Sequence, residues 1–199
     1  MKEAIAHLSR DKKFKKIIET VEMPQRETNK DIYISLIRAI VSQQLSVKAA
    51  NTIYTRFLAL FNNAYPDPKN LLLFDLETLR SVGLSRQKAA YIQNIADFDQ
   101  NKGLDFDIID KMNDDEVIKY LTQIKGVGRW TVEMLLMFTL DRPDILPLDD
   151  LGIQQAMIKL FDIEETGKVL KERMIELAEP WRPYRTLACR YLWRWKDNE

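Results

Sequence analysis

Residues 123–136 read QIKGVGRWTVEMLL. Apolar residues at helical spacing flank a short turn, Gly126-Val127-Gly128. Glycine allows positive φ and close approach of the backbone. Arg129 and Trp130 follow where a second helix begins. The first N–H groups of a helix lack intrahelical partners, and the helix dipole adds partial positive charge there. Such a helix start suits a phosphate. Two readings stand at this point: a tight helix–turn–helix that needs glycine for its geometry alone, or one that holds an anion.

Outward from this turn, helical periodicity dominates. DKKFKKIIET (11–20), DIYISLIRAIVSQQL (31–45) and the stretch from Val47 to Phe61 each carry an apolar face. MPQRE (23–27) reads as a break, AYPDPKN (64–70) as a Pro-rich loop, and Leu71–Val82 as a short helix ending at Gly83. Ser85 is placed to cap RQKAAYIQNIADF, which Gly103 ends. Asn113 and Glu116 have capping-box spacing before DDEVIKYLTQI. After the loop DRPDILPLDD, three more helical stretches follow: LGIQQAMIKLF, TGKVLKERMIELAE and RPYRTLACRYLWRW. No alternating strand is evident. The expected fold is all-α, with about ten helices joined by short connections. LRSVGLSRQKAAYI (79–92) and LTQIKGVGRWTVEM (121–134) resemble each other loosely, each a helix, a glycine turn and a helix.

The chain has 199 residues, 46% of them apolar, enough for one domain or two small lobes on a shared core. Its single cysteine, Cys189, excludes an intrachain disulfide and any cysteine-built metal or iron–sulfur cluster. That usage fits a reducing compartment, so the expected location is cytoplasmic: nucleoid-associated in a bacterium, nuclear in a eukaryote. The N-terminus does not read as a signal peptide, and no apolar run is long enough to span a membrane. His7, the sole histidine, reads as a surface residue. Formal charge is zero, from 30 basic and 30 acidic side chains. The acids cluster, however: residues 97–116 hold eight acids and two lysines, while the tail from Trp181 carries Arg182, Arg185, Arg190, Arg194 and Lys196. That distribution fits either a polyanion-facing basic side or ordinary scattered surface charge.

LPLDDLG (146–152) sets two carboxylates, Asp149 and Asp150, ahead of a helix. By residue type alone, this is a helix N-cap.

Taken together, these motifs resemble the helix-hairpin-helix/Gly-Pro-Asp superfamily of DNA glycosylases, and within it the AlkA-like 3-methyladenine DNA glycosylase II branch. LTQIKGVGRWTVEMLLMF and LPLDDLGIQQAM carry the resemblance first. IRAIVSQQLSVKAANTI is similar to the family's early helix pair, VGLSRQKAAYIQNIA to its middle helix, and WRPYRTLACRYLWRW to its C-terminal segment. The likeness spans most of residues 30–196.

It implies a single unit over 1–199 made of two helical lobes. One comprises roughly 30–110 with the hairpin at 113–140, and the other the N-terminal residues and 145–199. It implies that Gly126, Val127, Gly128 and Arg129 form a hairpin on a DNA phosphate. The carbonyls of Thr122, Ile124 and Val127 would hold a structural Na+ or K+, and no cofactor serves catalysis. Asp150, 22 residues after Gly128, matches the catalytic aspartate. Asp149 matches a neighbour that could cap the helix. Breaking an N-glycosidic bond builds positive charge on the sugar, which a fixed carboxylate stabilises. Bifunctional members carry a lysine where this chain has Trp130, so the resemblance implies a monofunctional enzyme that leaves the strand intact. Trp130 and Trp193 match pocket aromatics that would stack on a cationic base, with core packing as the other reading. The gap left by the flipped nucleotide would be filled from Gln43, Gln44, Leu45 and Ser46. Lys88, like Arg129, reads as a phosphate partner, with solvated surface charge as the alternative.

No counterpart of the N-terminal β-rich domain of the longer AlkA-like enzymes is expected from this sequence, and a neutral chain is atypical of a DNA binder. The resulting expectation is a monomeric glycosylase that releases alkylated bases of the 3-methyladenine or 7-methylguanine type from double-stranded DNA. Two alternatives remain: a non-catalytic protein that binds lesions or abasic DNA, and a glycosylase for deaminated or oxidised bases.

Overall fold

Short polar side chains set where the helices begin. The computed structural model describes residues 1–23 and 29–197. It is all-α, with thirteen α-helices, two 3₁₀ turns and no strand among the described residues. In order, the helices are α1 (Lys2–Leu8), α2 (Lys12–Thr20), α3 (Ile32–Ser42), α4 (Val47–Leu58), α5 (Pro68–Leu72), α6 (Leu76–Ser81) and α7 (Arg86–Lys102). Then come α8 (Phe106–Ile109), α9 (Asp114–Leu121), α10 (Arg129–Phe138), α11 (Leu151–Phe161), α12 (Gly167–Ala178) and α13 (Arg185–Asp197). Nine of them start on an Asp, Ser or Asn whose side chain accepts a first-turn N–H, each such cap stabilising its helix by about 1 kcal/mol. Asn113 and Glu116 form the expected capping box, Ser85 caps α7, and Gly103 ends α7 at φ 86°.

The chain divides into two units, Asn29–Leu135 and Met1–Thr28 with Leu136–Glu199. In the first, α7 packs on α3, α5 and α6, and α3 also packs on α4. Helix α3 buries Ile32, Leu36, Ile37, Ile40 and Val41 completely, a stripe at helical spacing whose members each contribute roughly 1.5–3 kcal/mol. Tyr33 donates its hydroxyl to the Pro66 carbonyl at 2.7 Å, and burial pushes its phenol well above the usual range.

In the second unit, α13 packs on α11 and α2, and α1 packs on α2. Trp181 is buried against the rings of Phe14 and Phe161, and its indole N–H reaches Asp11 Oδ2 at 3.3 Å. The start of α13 pins the loop that leads into α11. Thr186 Oγ1 donates to the Arg142 carbonyl at 2.6 Å and accepts the Ile145 N–H at 3.0 Å. Asp144 accepts from Arg182 Nη1 at 2.6 Å and from Arg185 Nε at 2.7 Å. The side chain of Arg185 is only 12% exposed, so removing Asp144 would strand a half-buried cation.

Three local readings change. The single helix expected over Leu71–Val82 is two, because Asp75 accepts the Thr78 N–H at 2.7 Å and starts α6 afresh. Its partner α5 begins inside the expected Pro-rich loop, with Asp67 as cap and Pro68 in the first turn. His7 is not a bare surface residue: its ring meets Tyr184 edge-on at 5.4 Å, and Nε2 hydrogen-bonds to the Pro180 carbonyl at 2.9 Å. From residue 24 on, the break expected at 23–27 lies outside the described residues.

Candidate active site

At the second carboxylate of LPLDD, one atom carries two hydrogen bonds. Asp150 Oδ1 accepts the Ile153 N–H at 2.8 Å and the Trp193 indole N–H at 2.8 Å. The first bond makes Asp150 the N-cap of α11, with φ −76° and ψ 116°. The cap expected of Asp149 therefore belongs to its neighbour. Asp149 instead pairs with Lys171 of α12. The two adjacent acids thus have opposite surroundings: one is neutralised by a lysine, and the other is fixed by two N–H donors at the positive end of a helix.

Trp193 was expected as a pocket wall or as core, and it sits between those readings. It is half-buried, its ring stacks on Phe138 at 5.7 Å, and its N–H is directed to the carboxylate. Gly152 makes this possible. A Cβ there would lie 2.9 Å from Trp193 Cδ1 and 3.0 Å from Asp150 Oδ1. In LPLDDLG, Gly152 stands two residues after the second Asp, in the first turn of the helix that the indole crosses.

In the other unit, the glycine turn is built from inside. Gly126 has φ 105°, and a Cβ on it would fall 2.2 Å from Tyr91 Cγ, so both its conformation and its neighbour demand glycine. Tyr91 is held by Gln87, whose amide donates to its hydroxyl at 2.6 Å, and Asn94 donates to the Lys125 carbonyl at 3.0 Å. Ile124 and Val127 are buried beneath the turn, with the Val127 N–H on the Ile124 carbonyl at 2.9 Å. Thr122, the third expected cation ligand, is the C-cap of α9. Gly128 differs from Gly126: it is exposed, and a Cβ on it would meet nothing within 4 Å. The chain's own packing does not require glycine there. A bare Cα before α10 leaves room for a second molecule's backbone to come close.

Arg129 and Trp130 open α10. Arg129 Nε donates to Glu133 Oε1 at 3.0 Å, one turn on, while its side chain stays 61% exposed. Trp130 is 38% exposed, an unusual position for an indole that served only as core. Of the four residues expected to fill a gap, Gln44 and Leu45 are exposed at a turn, and Gln43 is half-buried. Ser46 has a structural task, since its hydroxyl accepts the Ala49 N–H at 3.3 Å and caps α4. Lys88 departs furthest from expectation. Its ammonium donates to the carbonyls of Val41 at 2.9 Å and Gln43 at 2.7 Å, so its charge is engaged within the fold rather than presented to a phosphate.

Comparison with known proteins agrees on kinship. The family model described as HhH-GPD superfamily base excision DNA repair protein matches residues 37–183. DNA-3-methyladenine glycosylase 1 of Schizosaccharomyces pombe is 38% identical over 194 residues, covering 94% of this chain and 84% of its own. Alkylbase DNA glycosidase-like protein mag2 of the same yeast is 39% identical over 165 residues, covering 81% and 76%. A solved structure of S. pombe 3-methyladenine DNA glycosylase (Mag1) in complex with abasic DNA superposes with a TM-score of 0.85 at 38% identity, over 96% of this chain and 95% of that one.

Proposed function

The chain belongs to the HhH-GPD superfamily of base excision DNA repair proteins, and on that premise we propose that it is a monofunctional DNA glycosylase. It hydrolyses the N-glycosidic bond of alkylated bases in duplex DNA after nucleotide flipping. One observation carries this reading: Asp150 is held rigid by the Ile153 N–H and the Trp193 indole. A carboxylate so fixed needs little reorganisation to stabilise the positive charge that builds on the deoxyribose as the bond breaks. It can also orient the attacking water. An alkylated purine is already cationic and leaves without a general acid. No lysine stands at position 130 to attack the sugar, so the product is an abasic site in an unbroken strand.

The exposed indole of Trp130 offers a π-face to such a cationic ring, and the hairpin Gly126–Arg129 offers helix-start N–H groups to the DNA backbone. The names of the relatives, DNA-3-methyladenine glycosylase 1 and Mag1 bound to abasic DNA, support the substrate class.

The test is base release from methylated duplex DNA by wild type and Asp150→Asn. Asparagine caps helices as well as aspartate does and still accepts both N–H groups, so charge is lost while the fold is kept. We expect release to fall by about 10²–10³-fold with binding to abasic duplex retained. Unchanged release would remove Asp150 from the chemistry. Wild type that binds abasic duplex yet releases no base would favour a lesion-binding protein without turnover.

A further inference from the structure

Helix α3 ends where the exposed turn 43–46 begins, and the ending is unusual. The last carbonyls of a helix lack intrahelical partners and sit at the negative end of its dipole. Here the Gln43 N–H makes only a long 3.4 Å contact to the Ile40 carbonyl. The next residue, Gln44, adopts φ 57°, a left-handed conformation that costs a non-glycine residue about 1 kcal/mol or more. Something must hold the backbone in that shape.

The Leu45 N–H closes the turn on the Ser42 carbonyl at 3.2 Å, and Lys88 reaches the same backbone from 45 residues along the chain. It lies in the first turn of α7, which packs on α3. Its ammonium takes the carbonyls of Val41 and Gln43, one on either side of the helix end, at 2.9 and 2.7 Å. Partial burial lowers the basicity of this amine, as expected of an ammonium drawn out of water. On the far side of the turn, Ser46 caps α4. The tip between these anchors carries exposed Gln44, with Leu45 38% exposed and Val47 78% exposed at the start of α4. An apolar tip on a fixed base suits insertion into a duplex, where a loop ordered beforehand avoids the entropy of ordering on contact.

We propose that Lys88 is a positioning residue, which locks the turn 43–46 through the carbonyls of Val41 and Gln43 so that the Gln44–Leu45 tip can fill the space left by a flipped nucleotide. This rests on the glycosylase reading above, but the ammonium itself touches no DNA.

The test uses the full-length Lys88→Met protein, which keeps most of the side chain's bulk and loses its charge, with Lys88→Arg as the conservative comparison. Two readouts are independent of base release. Amide exchange at residues 43–48 should rise about tenfold in Lys88→Met, with the rest of α3 and α7 unchanged. In a duplex carrying 2-aminopurine beside a tetrahydrofuran abasic site, the fluorescence change on binding should shrink by a similar factor, with Lys88→Arg in between. Affinity for undamaged duplex and its salt slope should match wild type.

An unchanged exchange rate at 43–48 would overturn the clamp. A faster turn with undiminished fluorescence change would overturn its link to gap filling. A weaker affinity for undamaged duplex with a salt slope shallower by about one would return Lys88 to a phosphate contact. Failure of the glycosylase reading would appear separately, in the Asp150 assay.

Discussion

Two turns in the unit Asn29–Leu135 share a leading left-handed glycine and a buried apolar second residue, and part at the third position. Gly83-Leu84-Ser85-Arg86 joins α6 to α7, and Gly126-Val127-Gly128-Arg129 joins α9 to α10. The leading glycines have φ 107° and 105°, and Leu84 and Val127 are both 4% exposed beneath their turns. The third positions part company. Ser85 accepts the Lys88 N–H at 3.2 Å and closes its helix from within. Gly128, exposed before α10, carries no side-chain acceptor at all. The same leading glycine thus opens once a helix capped from within and once a helix whose first N–H groups meet no side chain from its own turn. The cap residue, not the turn, distinguishes the two uses.

Four substitutions test that contrast. The largest effect belongs to Gly126→Ala, which adds a Cβ at 2.2 Å from Tyr91 to a left-handed backbone; urea unfolding should show a loss of about 3 kcal/mol. The matching Gly83→Ala places its Cβ 3.1 Å from the flexible end of Ile53, and should cost roughly half as much, about 1–2 kcal/mol. Equal losses would mean that the Tyr91 contact contributes nothing. Ser85→Ala comes next, with about 1 kcal/mol expected from the lost cap and no change in DNA affinity. Gly128→Ser is smallest for folding, within about 0.5 kcal/mol, since its side chain enters open space and can act as a cap. Titration against abasic duplex should nonetheless weaken by about tenfold, because the hydroxyl competes for the helix-start N–H groups. Full affinity in that variant would show that this end of α10 faces no phosphate.

Much of this was legible in the sequence, because capping is a local matter. Ser85, Asn113 with Glu116, and Gly103 announce helix ends within a few residues of where the ends fall. Where local signals compete, reading fails. Asp75 is embedded in the apolar run LLLFDLETL, so a fresh helix start passed for a continuation. Asp149 and Asp150 are equally good caps on paper, and their roles are separated only by Lys171 and Trp193, 22 and 43 residues further on. Lys88 looked like a free surface cation because its acceptors are main-chain carbonyls, which no side-chain pattern reports. The acid itself was found by resemblance. Composition and spacing alone make Asp150 a cap, and the structure shows it as one.

The close approach at Gly152 has a consequence for how such a chain can vary over time. A methyl group at 152 would stand 2.9 Å from Trp193 Cδ1, closer than a side-chain carbon can sit without displacing the ring. Positions 152 and 193 therefore cannot drift independently. A larger residue at the first would press on the indole and so on its bond to Asp150. The carboxylate, the glycine and the tryptophan are thus one mechanical unit, in which a change at any one is felt at the other two.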